Sequence, residues 1–251
     1  MFIDTHAHLW TGLQDYSRDE IIAKAKIAGV EKIVVPGLDV KTSNEAIALS
    51  QKYPGQIFAA VGVHPESMGD VGREIEEVSL LIAQQKTQIV AIGEIGSDAG
   101  FEELSNKIVE QKRLFQAQAK LAIEYDLPMI IHTRKTLFET LEWLDQLPVM
   151  PRGVFHGFSH DLEGMKQIVA RGFVIGIGGN LSYSKRIQKV AQEIPENRFV
   201  LETDWPYLPS KLPNEVSSVT MLAQILADCR GEKIEDIGKQ TTNTAKALFN
   251  I

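Results

Sequence analysis

Eight short apolar runs alternating with segments of helical spacing constrain this chain more than any other feature of it. Residues Phe2–Thr5, Lys32–Pro36, Phe58–Val61, Ile89–Gly93, Met129–Ile131, Val154–Phe155, Phe173–Ile177 and Phe199–Leu201 read as strands. Several are unbroken and rich in Val and Ile, as parallel strands buried on both faces are. Between them, "SRDEIIAKAKIAG", "TSNEAIALSQKY", "EIEEVSLLIAQQ", "NKIVEQKRLFQAQAKLAIEYD", "TLFETLEWLDQ", "LEGMKQIVARG" and "SKRIQKVAQEI" carry helical patterns. Several follow Ser, Thr, Asp or Asn caps, and two end at Gly29 and Gly172. Strand–helix alternation implies a parallel sheet. Eight such units in 251 residues predict the α/β class and a closed (β/α)8 TIM barrel. Two further helical segments, "EVSSVTMLAQILADC" and "IEDIGKQTTNTAKALF", follow the last strand. With no linker, low-complexity segment or charge block, residues 1–251 read as a single domain.

Composition narrows the functional classes. A 44% hydrophobic content with 24% charged residues is that of an ordinary globular protein with a sizeable core. The formal net charge of −7 argues against a broad basic surface for duplex DNA. It leaves room for a small site where metal ions supply the positive charge. The one cysteine, Cys229, has no internal disulfide partner and sits in an apolar helical stretch, which suggests packing and a reducing cytoplasm. No run reaches the roughly 18 apolar residues of a membrane span, and "MFIDTHAHLW" lacks a signal-peptide layout. No obligate protein partner is evident.

All six histidines fall at or just beyond predicted strand ends. His6 and His8 follow the first strand, and on extended backbone residues i and i+2 share a face. His64 follows the third strand, His132 the fifth, and His156 ends the sixth, with His160 in the loop beyond it. A lone strand-end histidine is usually a structural hydrogen-bonding residue, but core packing gives no reason for six to gather at the face that carries barrel active sites. Glu94 closes the fourth strand and Asp204 follows the eighth. Buried carboxylates need partners, and metal ions would satisfy all of these groups together.

The ordered segments "FIDTHAHL", "VGVHPE", "AIGEIG", "LPMIIHTR", "FHGFSH" and "VLETDWPYL" resemble the motifs of the TatD family of metal-dependent deoxyribonucleases and hydrolases, within the amidohydrolase superfamily. The resemblance spans essentially the whole chain. It implies two divalent metal ions, and a set of four histidines and two carboxylates favours zinc or manganese over magnesium, which is also compatible. His6, His8 and Asp204 would bind the first, His132 and His156 the second, and Glu94 would bridge them. Asp204 would also accept the proton of a metal-activated water. His64 and Arg134 resemble substrate-contacting positions suited to a phosphate or developing oxyanion; the plainer reading of Arg134 is a surface cation in a local ion pair. Asp4 either orients a histidine ligand or makes a purely structural strand-end hydrogen bond.

Some residues depart from the family pattern: Ser97 and Ala99 after "GEIG", Gly157 and His160 in "FHGFSH", and Trp205 before "PYL". These are expected near the pocket mouth, where they would bear on substrate choice. Trp205 is either a base-stacking platform or, more commonly, loop packing. "IGIGGN" lacks the residues of a phosphate loop and reads as a tight turn with close backbone approach. Ser184–Arg186 reads as a solvated helix start. The expected activity is phosphodiester hydrolysis, 3′–5′ on single-stranded nucleic-acid ends, with a small phosphoester as another substrate. The alternative is an amidohydrolase-type hydrolase of a small amide, ester or lactone. A non-catalytic metal site is the weakest reading, because structural sites are closed by four ligands.

Overall fold

The computed structural model describes residues 1–11, 17–207, 211–213 and 215–251. Leu208 of "VLETDWPYL" therefore lies outside the described residues. Eight strands, β1 Phe2–Asp4, β2 Val30–Pro36, β3 Ile57–Val61, β4 Ile89–Asp98, β5 Met129–Arg134, β6 Gly153–Phe155, β7 Val174–Ile177 and β8 Phe199–Leu201, pair in chain order. Every pair is parallel. The ring closes just beyond β1 and β8, where the Thr5 N–H donates to the Leu201 carbonyl (3.1 Å) and the Asp204 N–H to the His6 carbonyl (2.8 Å). The fold is a (β/α)8 TIM barrel.

Helices α1 Arg18–Ile27, α2 Val40–Lys52, α3 Val71–Gln85, α4 Glu102–Ser105, α5 Ile108–Glu124, α6 Leu137–Asp145, α7 Leu162–Ala170 and α8 Lys185–Glu193 separate the strands, and α9 Val219–Arg230 and α10 Ile234–Phe249 follow. Ser17 with Glu20, and Asp39 with Thr42, form reciprocal caps on α1 and α2. Asp70 caps α3, which starts at Val71, three residues upstream of the predicted start at Glu74. No helix among the described residues is long and apolar enough to cross a membrane.

The apolar interior divides into two clusters. One fills the barrel itself, with Ile3, Val34, Ala60, Ala91, Ile130, Val154, Val174 and Val200 supplied by successive strands. Ala245, Leu248 and Phe249 of α10 stopper it at the strands' N-terminal end. The other, larger cluster lies between strands and helices. With the bottom plugged by side chains, the C-terminal face is left for the site.

Two strands run past the C-terminal ends that the sequence predicts. β4 runs five residues past Gly93 and β5 three past Ile131. Polar residues such as Glu94, Asp98 and His132 read poorly as strand, yet after a register shift that spans Glu94 the ladder Ile95↔Ile131, Gly96↔His132, Ser97↔Thr133, Asp98↔Arg134 carries both strands on. Glu94 therefore does not close β4, and His132 is not beyond β5. His132 is built into the ladder opposite Gly96, and Glu94 sits at the register shift, where its N–H donates to the Gly37 carbonyl (2.9 Å); both are fixed more firmly than in a free loop.

Candidate metal centre

A cleft of about 530 Å³ opens at the C-terminal face, lined among others by His8, His64, Glu94, His132, His156 and Asp204. His6 lies directly beneath it, fully buried. Glu94 is at the centre. Its Oε2 lies 3.2 Å from His6 Nε2 and 3.5 Å from His8 Nε2, and its Oε1 lies 2.7 Å from His156 Nε2 and 3.1 Å from His132 Nδ1. One carboxylate thus faces a pair of imidazoles with each oxygen. Asp204 Oδ1 completes the first group, 3.2 Å from His8 Nε2 and 3.5 Å from His6 Nε2. Its backbone has φ +53°, a left-handed conformation uncommon outside glycine.

The far nitrogens indicate which lone pairs point inward. His8 Nδ1 meets the Pro36 carbonyl at 3.3 Å, and His132 Nε2 meets Asp98 Oδ2 at 3.0 Å. A neutral ring donating through those atoms turns its other nitrogen's lone pair to the cleft. Inside, His6 Nε2 and His8 Nε2 stand 3.1 Å apart, as do His132 Nδ1 and His156 Nε2. Such converging nitrogens beside two carboxylates need a proton or a cation between them, and the mixed N/O donor set fits borderline divalent ions. His64 differs. Its Nδ1 accepts the Glu66 N–H at 3.1 Å, so the neutral ring carries its proton on Nε2, 3.5 Å from Glu94 Oε1. In that tautomer His64 turns an N–H toward the cleft, and the ring stands beside Glu94 and His132 as one of three groups able to hold a cation.

Charge follows the same geometry. Burial alone would raise the Glu94 carboxyl, but His156, His64 and His6 hold it well below the usual range. Burial pulls His6 down to about 4 and His64 down to about 3. Burial would also lower His156, yet Glu94 beside it lifts that ring to about 10. Positive charge is thus favoured on His156 beside Glu94 and disfavoured on the His6 and His64 rings.

Arg134 lines the cleft, but it is not a free cation. Its Nε donates to Asp98 Oδ2 (2.7 Å), Nη2 reaches Glu66, and the guanidinium lies 4.8 Å over the Phe101 ring. Asp4 accepts from the backbone of His6 and from the backbone and hydroxyl of Thr203, tying the ends of β1 and β8 together. That is the structural one of its two readings. Trp205 packs against the outer core and lines a separate cavity with Ile21, Pro213 and Val216, so it packs rather than stacking bases in the cleft.

Of the residues that depart from the family pattern, Gly157 lines the cleft. Ser97 does not. It is buried in a hydroxyl cluster with Thr136 and Thr140. His160 packs edge-on against Phe158, outside the cleft lining. In "IGIGGN", Gly176 makes room for the Glu202 carboxylate, where a Cβ would meet Oε2 at 2.4 Å. The close approach is to a side chain, not to backbone. Ser184 caps α8, as its reading as a helix start requires.

Sequence reasoning did not assign Asp98, Glu66 or Glu202 a role. Asp98 is four residues beyond Glu94, an even spacing that keeps strand residues on one face, and this parity was the available signal. Burial pushes Glu202 up to about 8.

A family profile described as "TatD related DNase" matches residues 3–250. The uncharacterized metal-dependent hydrolase YabD of Bacillus subtilis is 34% identical, with 100% of each chain covered. The 3'-5' ssDNA/RNA exonuclease TatD of Shigella flexneri is 33% identical over 93% of each. The crystal structure of YjjV, a TatD homolog from Escherichia coli, superposes with a TM-score of 0.89 at 32% identity, covering 100% of this chain and 98% of that one.

Proposed function

This chain belongs to the family of TatD-related DNases, which are metal-dependent hydrolases, and on that premise we propose that it uses two divalent cations to hydrolyse phosphodiester bonds at single-stranded nucleic-acid 3′ ends. His6, His8 and Asp204 would hold one cation, His132 and His156 the other, and Glu94 both. Zinc or manganese suits this nitrogen-rich set better than magnesium, which prefers oxygen. The observation that carries the reading is the division of the Glu94 oxygens between two imidazole pairs. Two cations so close together would repel unless an anion lay between them.

When bound, the cations would polarise a phosphoryl oxygen and lower the pKa of a water. The rest falls to this chain's side chains. Asp204 is held ionised: burial would raise its carboxyl, but His8, His6 and His156 lower it. It is thus able to accept a proton from the attacking water. His64 donates from Nε2 to a phosphate oxygen. Arg134 presents its guanidinium at the cleft wall, where the terminal phosphate would lie.

One observation favours a second reading, hydrolysis of a small ester, amide or lactone. Arg134 is the one lysine or arginine among the described residues lining the cleft, and Asp98 and Glu66 already pair with it. A neutral substrate would not need to break that pairing. The test is a panel of 3′- and 5′-labelled single-stranded DNA and RNA, duplexes, esters and lactones, run with Zn²⁺, Mn²⁺ and Mg²⁺. Release of nucleotides from 3′ ends is expected. Turnover of a carbonyl substrate alone would replace this reading with the second.

A further inference from the structure

Every imidazole that turns one nitrogen to a cation needs an acceptor for the proton on the other. Pro36 and Asp98 serve His8 and His132. His6 and His156 have no such partner, for the Nδ1 of each is buried without a hydrogen bond. Their rings are stacked, with centroids 4.0 Å apart and planes 15° from parallel. Both direct Nε2 at Glu94, which leaves both Nδ1 atoms on the side away from it.

Glu202 is fully buried behind these rings. Its Oε1 accepts the Gly157 N–H and lies 3.8 Å from His156 Nδ1, while Oε2 is a third buried atom without a partner. One ring nitrogen from each histidine and one Glu202 oxygen lie within 4.8 Å of one another. A gap of 3.8 Å is too long for a direct hydrogen bond, so His156 Nδ1 and the free Glu202 oxygen are both left in need of a partner. Three groups hydrogen-bonded tetrahedrally to one water at about 2.9 Å would stand about 4.7 Å apart, and a buried water typically makes about three hydrogen bonds. A third cation fits less well. With Nε2 committed to the cleft, each ring would have to lose its last proton to offer Nδ1.

We infer that Glu202 is a positioning residue shared by both metal subsites: through one buried water it holds His6 and His156 as Nδ1–H tautomers with Nε2 turned to the cleft. The inference rests on the two-cation reading above. It separates Glu202 from Asp98, which orients only His132 and so serves one subsite.

Metal-free unsubstituted protein, Glu202→Gln and Asp98→Asn are titrated with Zn²⁺ by calorimetry, and their Co²⁺-loaded forms are examined by proton NMR. Glutamine keeps the size but puts an amide donor where acceptors are needed. Glu202→Gln is expected to weaken both equivalents by about 10–100-fold, to leave the metal-free Tm unchanged or higher, and to displace the exchangeable imidazole signals of His6 and His156. Asp98→Asn weakens one equivalent and moves the His132 signal. Loss at a single subsite in Glu202→Gln, or a lower metal-free Tm with both affinities intact, overturns the inference. Fewer than two equivalents in the unsubstituted protein overturns the two-cation reading itself. Independently of any variant, a crystal structure of the loaded protein should place a water on His6 Nδ1, His156 Nδ1 and Glu202, and a direct contact or an apolar gap there contradicts the bridge.

Discussion

Asp98 and His132 meet at 3.0 Å, Oδ2 to Nε2, at the point where β4 and β5 run past their predicted ends. Burial would raise the Asp98 carboxyl, but His132 and Arg134 hold it well below the usual range, so it is an ionised acceptor that fixes the ring. Asp98→Asn should weaken the cation on His132 and His156 by about 10–100-fold while the other subsite keeps its affinity. Metal content after dialysis against limiting Zn²⁺ checks this, and retention of both ions would contradict it.

Glu66 competes with any anion for Arg134, since it pairs with Nη2 at the exposed end of the guanidinium. Glu66→Gln removes that competitor without touching a cation ligand. KM for a short single-stranded oligonucleotide should fall severalfold with little change in kcat, and KM for a neutral lactone should stay level. An unchanged oligonucleotide KM would remove Arg134 from phosphate binding.

The pH dependence follows from His156. Its folded value of about 10 exceeds the ordinary 6.5, so in the cation-free protein its stabilisation is full below 6.5 and lost as pH rises through about 10. A cation on Nε2 takes that proton's place. Binding near neutral pH should therefore release a proton, and affinity should rise between about pH 6 and pH 9. Calorimetry in buffers of different ionisation enthalpy reads the proton directly, and a pH-independent affinity would contradict the assignment.

Asp204→Asn separates coordination from proton transfer, because an amide coordinates weakly and is a very poor base. Turnover should drop by about 10²–10⁴-fold at saturating metal, with the barrel folded and the His132–His156 subsite filled. Recovery of most of the rate at high metal would mean that Asp204 only holds a cation.

The barrel and the converging histidines were legible because both are periodic. Val/Ile runs mark buried strands, and the histidines recur at their ends. Strand ends are legible only where residues stay apolar, so the sequence predicts an end for β4 at Gly93 although pairing carries it to Asp98. The roles of Asp98, Glu66 and Glu202 depended on partners that folding brings near. Asp98 and His132 are 34 residues apart, and Glu202 and His156 come within 3.8 Å of each other only at the ends of β6 and β8. The pairing of Arg134 had the same origin. A charge at a strand end shows in a sequence, but its neutralisation by Glu66, 68 positions away, does not.

The most direct measurement counts cations against turnover. Thoroughly demetallated protein is titrated with Mn²⁺ or Zn²⁺ while cleavage of a 3′-labelled single-stranded oligonucleotide is followed. Activity should stay near background through the first equivalent per chain and rise to its plateau with the second. Glu94→Gln should bind at most one ion and remain inactive. Full activity without metal, a plateau after one equivalent, or an active two-ion Glu94→Gln protein would contradict a site organised around Glu94 as the shared ligand.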